Sequence, residues 1–208
     1  MLKCVMTGGP CAGKSQIMED LVKNLEYHGY KVFVLPEVAT KYILSGIKPS
    51  KEFPMMEFQR FVLRGQLNNE MLYDQVAGYF PADKVVMLYD RGIMDGQAYV
   101  GKENYQSLLS SQGLTLQDVY ARYDAVFHLV TAANGAPEHY QWNDPASLEE
   151  GNNAARSESP EEAIEVDNLT LDSWRGHPQL HIIDNSTDFQ GKIDRVLREV
   201  YHLLGISQ

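Results

Sequence analysis

Apolar residues in this chain fall into five short runs, separated by longer stretches in which they recur every three or four positions. The runs Leu2 to Met6, Lys31 to Leu35, Lys84 to Tyr89, Ala125 to Val130 and Leu180 to Ile183 predict β-strands, because four to six consecutive apolar or β-branched residues suit strands buried on both faces. Strands alternating with helical patterns predict an α/β fold: a parallel five-stranded sheet with helices on both faces.

The helical stretches are legible one by one. Ile17, Leu21 and Leu25, with Met18 and Val22 beside them, make one apolar stripe starting near Lys14, and Gly29 supplies the left-handed stop. From Pro54 to about Val76 the positions Met55, Phe58, Phe61, Val62, Leu67, Met71 and Leu72 keep a helical period, weakened at Gly65. In "SPEEAIEV", Ser159 reads as N-cap, Pro160 as first helical residue and Glu162 as the partner in a capping box, with the helix running to about Trp174. Phe189, Ile193, Val196, Leu197, Val200 and Leu204 form the core stripe of a terminal helix.

Composition narrows the class without naming a chemistry. At 44% hydrophobic and 22% charged, the 208 residues are ordinary for a globular chain and fit one domain, 1–208. A net charge of -10 argues against broad nucleic-acid binding, which needs clustered Lys and Arg. The charge is uneven: between Glu138 and Asp167 stand nine acidic residues and one basic one, Arg156, which marks that stretch as a distinct element. The start of the chain lacks a signal-peptide pattern, no apolar run reaches membrane-spanning length, and the two cysteines, Cys4 and Cys11, are too few for a disulfide framework. A cytoplasmic protein with no membrane partner is expected, and the sequence is silent on oligomeric state.

Behind the first strand stands "TGGPCAGKSQ". Gly8, Gly13, Lys14 and Ser15 match G-x-x-x-x-G-K-[ST] in full, between a predicted strand and a predicted helix, which is the context the phosphate loop requires. Glycines let backbone N–H groups curl around phosphate oxygens, the helix N-terminus adds positive potential, Lys14 reaches the terminal phosphates and Ser15 is a ligand for Mg2+. The nucleotide-binding residues are therefore Gly8, Gly9, Pro10, Cys11, Ala12, Gly13, Lys14, Ser15 and Gln16. The loop alone does not separate a kinase from a switch or a motor.

The residues behind the third strand discriminate better. In "KVVMLYDRG", Asp90 ends a buried strand where a metal-holding carboxylate is needed; an N-cap role is compatible with this. Hydrolytic motors usually carry a glutamate after that aspartate, where this chain has Arg91. Ile93 breaks the D-x-x-G of small GTPases, and "LVTAANG" after the fourth strand supplies no N-K-x-D. An arginine beside a metal carboxylate suits charge neutralisation on a transferring phosphoryl group, with a structural salt bridge as the alternative.

Acceptor-side candidates are less sharply marked. Glu37 in "VFVLPEVAT" lies at the C-terminal edge of the sheet, where it is placed either to accept a proton from a substrate hydroxyl or to start the next helix. Gln59, Arg60, Arg64 and Gln66 on the long helix offer amide and guanidinium groups to an acceptor, or else a solvated face. Asp95 is open to three readings: acceptor contact, helix cap or surface residue. Residues 132–178 read as a polar insertion between core strands carrying Arg156 and Arg175, a lid over the phosphates or a surface loop. Within it His139, Trp142, Trp174 and His177 are expected to pack rather than bind metal, since no His/Cys spacing fits zinc.

"TGGPCAGKS", "LPEVAT", "DRG" and "WRGHPQLHIIDNS" with "FQGKIDRVLREV" together resemble the P-loop kinase-like ATPase domains grouped with the nicotinamide riboside kinase domain of NadR, over nearly the whole chain. The resemblance implies a P-loop NTPase fold of the nucleoside and nucleotide kinase type, binding ATP or GTP with Mg2+. It places Gly8, Gly13, Lys14, Ser15, Glu37, Asp90 and Arg91 in the site. One departure stands near Asp167, where "IEVDNLT" lacks the further arginine such sequences often carry. The expected activity is phosphoryl transfer to a small-molecule acceptor such as a nucleoside, nucleotide or cofactor precursor. Mg2+ would be held by Ser15 and Asp90, Glu37 would act as base, and Arg91 with Arg156 would steady the phosphoryl group. A nucleotide-binding regulatory module and a slow NTPase are the alternatives.

Overall fold

The computed structural model describes residues 1–140 and 159–206. Five strands, β1 (Leu2–Thr7), β2 (Lys31–Leu35), β3 (Val85–Asp90), β4 (Ala125–Leu129) and β5 (Leu180–Ile183), form one parallel sheet in the order β2-β3-β1-β4-β5. The helices among the described residues are α1 (Lys14–Tyr27), α2 (Val38–Leu44), α3 (Met55–Ala77), α4 (Gln97–Val100), α5 (Lys102–Ser111), α6 (Leu116–Tyr120), α7 (Pro160–Trp174) and α8 (Phe189–Leu204).

Alternation along the central strands divides the core into two layers. Cys4, Met6, Val86, Leu88, Phe127 and Leu129 face α1 and α8, which return Ile17, Leu21, Leu25, Ile193, Val196 and Val200. Val5, Val85, Met87, Tyr89 and Val126 face the opposite way, onto Leu63 of α3, Tyr105, Leu108 and Leu109 of α5, and Trp174 of α7. Every one of these side chains is buried, which is why the strand runs are apolar on both faces.

The terminal signals act as expected. Gly29 takes φ 78° after α1, and the Ser159 hydroxyl and Glu162 carboxylate close the capping box of α7. Four strand limits shift by a residue, with β1 running on to Thr7 and β3 to Asp90. The Lys84 N–H bonds to the Pro81 carbonyl at 2.9 Å in a 3-10 turn, so β3 begins at Val85; β4 ends at Leu129 rather than Val130. Phe189, expected in the core, is 42% exposed and opens α8 beside the phosphate loop.

Register positions the site. Met6 pairs with Asp90, Leu35 with Tyr89 and Thr7 with His128, so the ends of β1, β2, β3 and β4 lie level. Every loop leaving that edge starts from the same height, where ligands of open α/β sheets bind.

Candidate active site

The loop from Gly8 to Gly13 leaves β1 and turns into α1 with Gly8 at φ 131°, Cys11 at φ 54° and Gly13 at φ 85°. A Cβ on Gly8 would lie 2.0 Å from the Leu129 carbonyl oxygen, so only glycine fits there. The first turn of α1 has no side-chain cap, and its leading N–H groups have no intrahelical partner, which leaves donors for an anion. Lys14 folds back over the loop, donating to the carbonyls of Gly8 at 3.0 Å and Gly9 at 2.9 Å. Burial and the nearby Arg91 charge lower its ammonium to about 8, against the pull of Asp90, Glu37 and Asp95. At the helix start Ser15 and Gln16 are both exposed.

Four acidic and basic groups from three strand ends meet in front of this loop. Arg91 adopts φ 68°, its N–H donates to the Met6 carbonyl at 3.1 Å, and its Nε lies 2.7 Å from Glu37 Oε1. Left-handed backbone at a residue with a side chain is uncommon; here β3 is tied to β1 and the guanidinium is turned toward the end of β2. Burial disfavours its charge, but Tyr99, Glu37, Asp95 and Asp90 outweigh that and hold it more firmly protonated. Glu37 would be raised by burial; Arg91, the Thr40 hydroxyl at 2.8 Å and Lys14 hold it below the usual carboxylate range. Asp90 is the reverse case, raised by burial and by Glu37 against Lys14 and Arg91. Its buried Oδ1 accepts no hydrogen bond from any described residue, which leaves an oxygen free for a hard cation.

Asp95 is neither a helix cap nor a surface residue. It is 3% exposed, and its Oδ2 accepts from Thr7 Oγ1 at 2.7 Å and faces Arg91 Nη1 at 3.4 Å, while its Oδ1 accepts from Trp174 Nε1 at 2.6 Å. It links the end of β1, the arginine and α7. Trp174 and His177 are core residues, the latter bonded to the Tyr123 carbonyl, whereas His139 is exposed. Trp142 and Arg156 lie outside the described residues, and Arg175 pairs with Asp172 on the surface.

The long-helix candidates divide. Gln59 is buried, its amide lying 3.8 Å from the Met55 sulfur; Gln66 donates to the Gly92 carbonyl at 3.2 Å. Arg60 pairs with Glu57 and Arg64 is exposed, so neither guanidinium joins the cluster at Arg91.

Sequence reasoning missed the role of Asp167. From the middle of α7 its Oδ1 accepts the Gly9 N–H at 2.5 Å and lies 3.4 Å from Nε2 of the fully buried His128. Thr131 donates to the Pro10 carbonyl, and the Ala132 N–H reaches the Cys11 carbonyl at 3.4 Å. The helical period does place Asp167 and Trp174 on one face, seven residues apart, but nothing in the sequence says which loop that face meets.

A family model described as an AAA domain matches residues 3–192. The chain belongs to this AAA domain family. No curated protein matches it. Among solved structures, this AAA domain chain is similar to deoxyadenosine kinase from M. mycoides with bound dATP, at a TM-score of 0.59 and 15% identity over 96% of this chain and 99% of that one. The same enzyme with the products dCMP and a flexible dCDP gives 0.58 and 14%, over 97% and 100%. At that identity the likeness shows a shared P-loop kinase fold, in agreement with the parallel five-stranded sheet. Among the described residues no helix is long and apolar enough to cross a membrane.

Proposed function

We propose that this AAA domain protein is a Mg2+-dependent phosphotransferase that moves the terminal phosphoryl group of ATP or GTP to a small-molecule acceptor such as a nucleoside, nucleotide or cofactor precursor. The observation that carries the reading is the convergence of Lys14, Glu37, Asp90 and Arg91 at one level of the sheet edge, with Arg91 Nε 2.7 Å from Glu37. Nucleotide phosphates would lie on the N–H groups of residues 12–16, and Lys14 would exchange the Gly8 and Gly9 carbonyls for phosphate oxygens. Ser15 and the free Oδ1 of Asp90 are hard oxygen donors suited to Mg2+, which when bound neutralises charge on the phosphates.

Arg91 is placed to steady the transferring group and Glu37 to take the proton of an acceptor hydroxyl. Gln59, a buried amide without a strong partner, suits recognition of the acceptor by hydrogen bonding. The single domain over 1–208, its 132–178 insertion acting as a lid outside α7, whose Asp167 and Trp174 are packed into the core, and Arg156 assisting from it belong to the same proposal.

The test is a transfer assay with Mg-ATP and Mg-GTP across nucleosides, nucleotides and pyridine nucleosides. Acceptor-dependent formation of nucleoside diphosphate, abolished in Lys14→Ala, is the expected result. Binding of nucleotide with no transfer to any acceptor would replace the kinase reading by that of a regulatory module, and phosphate release without acceptor by that of a slow NTPase.

A further inference from the structure

The phosphate loop is unevenly held. Its first half is fastened from outside at three successive residues: the Gly9 N–H to Asp167, the Pro10 carbonyl to the Thr131 hydroxyl, and the Cys11 carbonyl to the Ala132 N–H. The N–H groups at its second half, on the uncapped start of α1, are left for a ligand. Of the three fastenings only Asp167 brings a charge, and it arrives from a helix 158 residues away in sequence.

A carboxylate 3% exposed beside a site for polyphosphate is electrostatically adverse unless it is needed there. The surroundings show how it is accommodated. His128 Nε2 stands 3.4 Å away, and the buried Lys192 is near enough for its charge and that of Asp167 to act on each other; Lys192 is itself anchored on the carbonyl of Val130 and on Asn185. The fit is also steric: a Cβ on Gly9 would lie 2.9 Å from both Asp167 Cβ and Oδ1. The Asp167 side chain therefore fills the volume that any side chain at position 9 would need.

We propose that Asp167 is a positioning residue of the phosphate loop, holding the Gly9 peptide so that the open N–H groups downstream are preset for phosphate. The same helix holds Asp95 through Trp174, so α7 aligns the phosphate loop and the Arg91 segment against one rigid face. The proposal rests on nucleotide binding at this loop, and it concerns what shapes the loop rather than what is transferred.

The test pairs nucleotide affinity with a direct view of the Gly9 amide by 15N-glycine labelling of the full chain. In Asp167→Ala the Gly9 amide proton should move upfield on losing a charge-assisted bond, and the Kd for a non-hydrolysable Mg-ATP analogue should rise about tenfold or more. Asp167→Asn keeps an acceptor oxygen without the charge, so it should show a smaller shift and a Kd rise of about two- to threefold; it also serves if the alanine variant does not fold. A purely structural role would lower the melting temperature and leave the Kd of folded protein within twofold, which overturns the proposal, as does an unmoved Gly9 resonance. Wild-type protein that bound no nucleotide would overturn the nucleotide reading and this inference with it. Wild-type binding with an unaffected Asp167→Ala would overturn this inference alone.

Discussion

Arg91 and Glu37 form an ion pair at 2.7 Å across the ends of β3 and β2, so the residue proposed as base is already engaged by the residue proposed to steady phosphate. A carboxylate held below its usual range is a weak proton acceptor. Phosphoryl oxygens competing for the guanidinium would release Glu37 at the moment the acceptor arrives. Glu37→Gln keeps the shape and removes the basicity, and turnover should fall by about 10²–10⁴-fold while the nucleotide Kd stays within a few-fold. Steady-state kinetics beside calorimetric titration checks this; unchanged turnover would remove Glu37 from the chemistry.

Asp95 carries a load that the motif "DRGIMD" does not announce. Removing its carboxylate strips partners from the Thr7 hydroxyl, the Trp174 indole and one nitrogen of Arg91, all in buried or largely buried positions. Asp95→Ala should cost about 3–5 kcal/mol, the range for breaking a buried charged pair by deleting one side. Urea unfolding followed by tryptophan fluorescence reads it directly, since Trp174 lies in the core. A loss below about 1 kcal/mol would mean that these bonds contribute little.

The parts of the fold that were legible share a physical basis. Buried strands need unbroken apolar runs, so "LKCVM" and "KVVMLYD" declared themselves, and the loop at Gly8 to Ser15 needs residue types that almost nothing else demands. Asp90, Arg91 and Glu37 came with them because parallel strands deliver their ends to one edge. The short helices between Val38 and Tyr120 were not legible, although Tyr105, Leu108 and Leu109 carry a helical spacing; segments of four to ten residues give too few periods to stand out. The buried roles of Asp95 and Asp167 were missed for a different reason. An acidic residue on a helix normally faces water, and only tertiary contact reveals that these two face Trp174 and Gly9. The stripe assigned to α8 overreached at Phe189 because the first turn of that helix extends past the core onto Gly13.

Two glycines of positive φ should respond unequally to a methyl group. Gly8 and Gly46 have φ of 131° and 87°, but a Cβ at Gly8 meets the Leu129 carbonyl at 2.0 Å whereas one at Gly46 meets nothing within 4 Å. Gly46→Ala carries only the conformational cost, about 1 kcal/mol. Gly8→Ala adds a collision with backbone that neither β1 nor β4 can relieve without breaking their ladder, so its loss should exceed that of Gly46→Ala by at least about 2 kcal/mol. Chemical denaturation of the two variants side by side decides it, and equal losses would contradict the close approach of β4 to the loop.

The proposed contact of Lys14 with phosphate would give nucleotide binding a pH dependence whose sign is fixed. In the free protein its ammonium is lowered to about 8 by burial and by Arg91. Phosphate oxygens favour the charged form, so the bound-state value lies higher, and above pH 8 binding takes up a proton. Affinity should therefore be flat below pH 7.5 and fall toward a tenfold loss per pH unit above about 8, the slope of a single linked proton. Lys192, also lowered to about 8 by burial, sits just beyond the end of β4 with its ammonium on Val130 and Asn185 rather than on the loop. Lys14→Met separates the two: it should weaken binding at every pH and abolish the slope. Calorimetric titration of a non-hydrolysable nucleotide at pH 7, 8 and 9, in buffers of different ionisation enthalpy, measures both the affinity and the proton taken up. A wild-type Kd constant across that range would show that Lys14 is fully protonated before the nucleotide arrives.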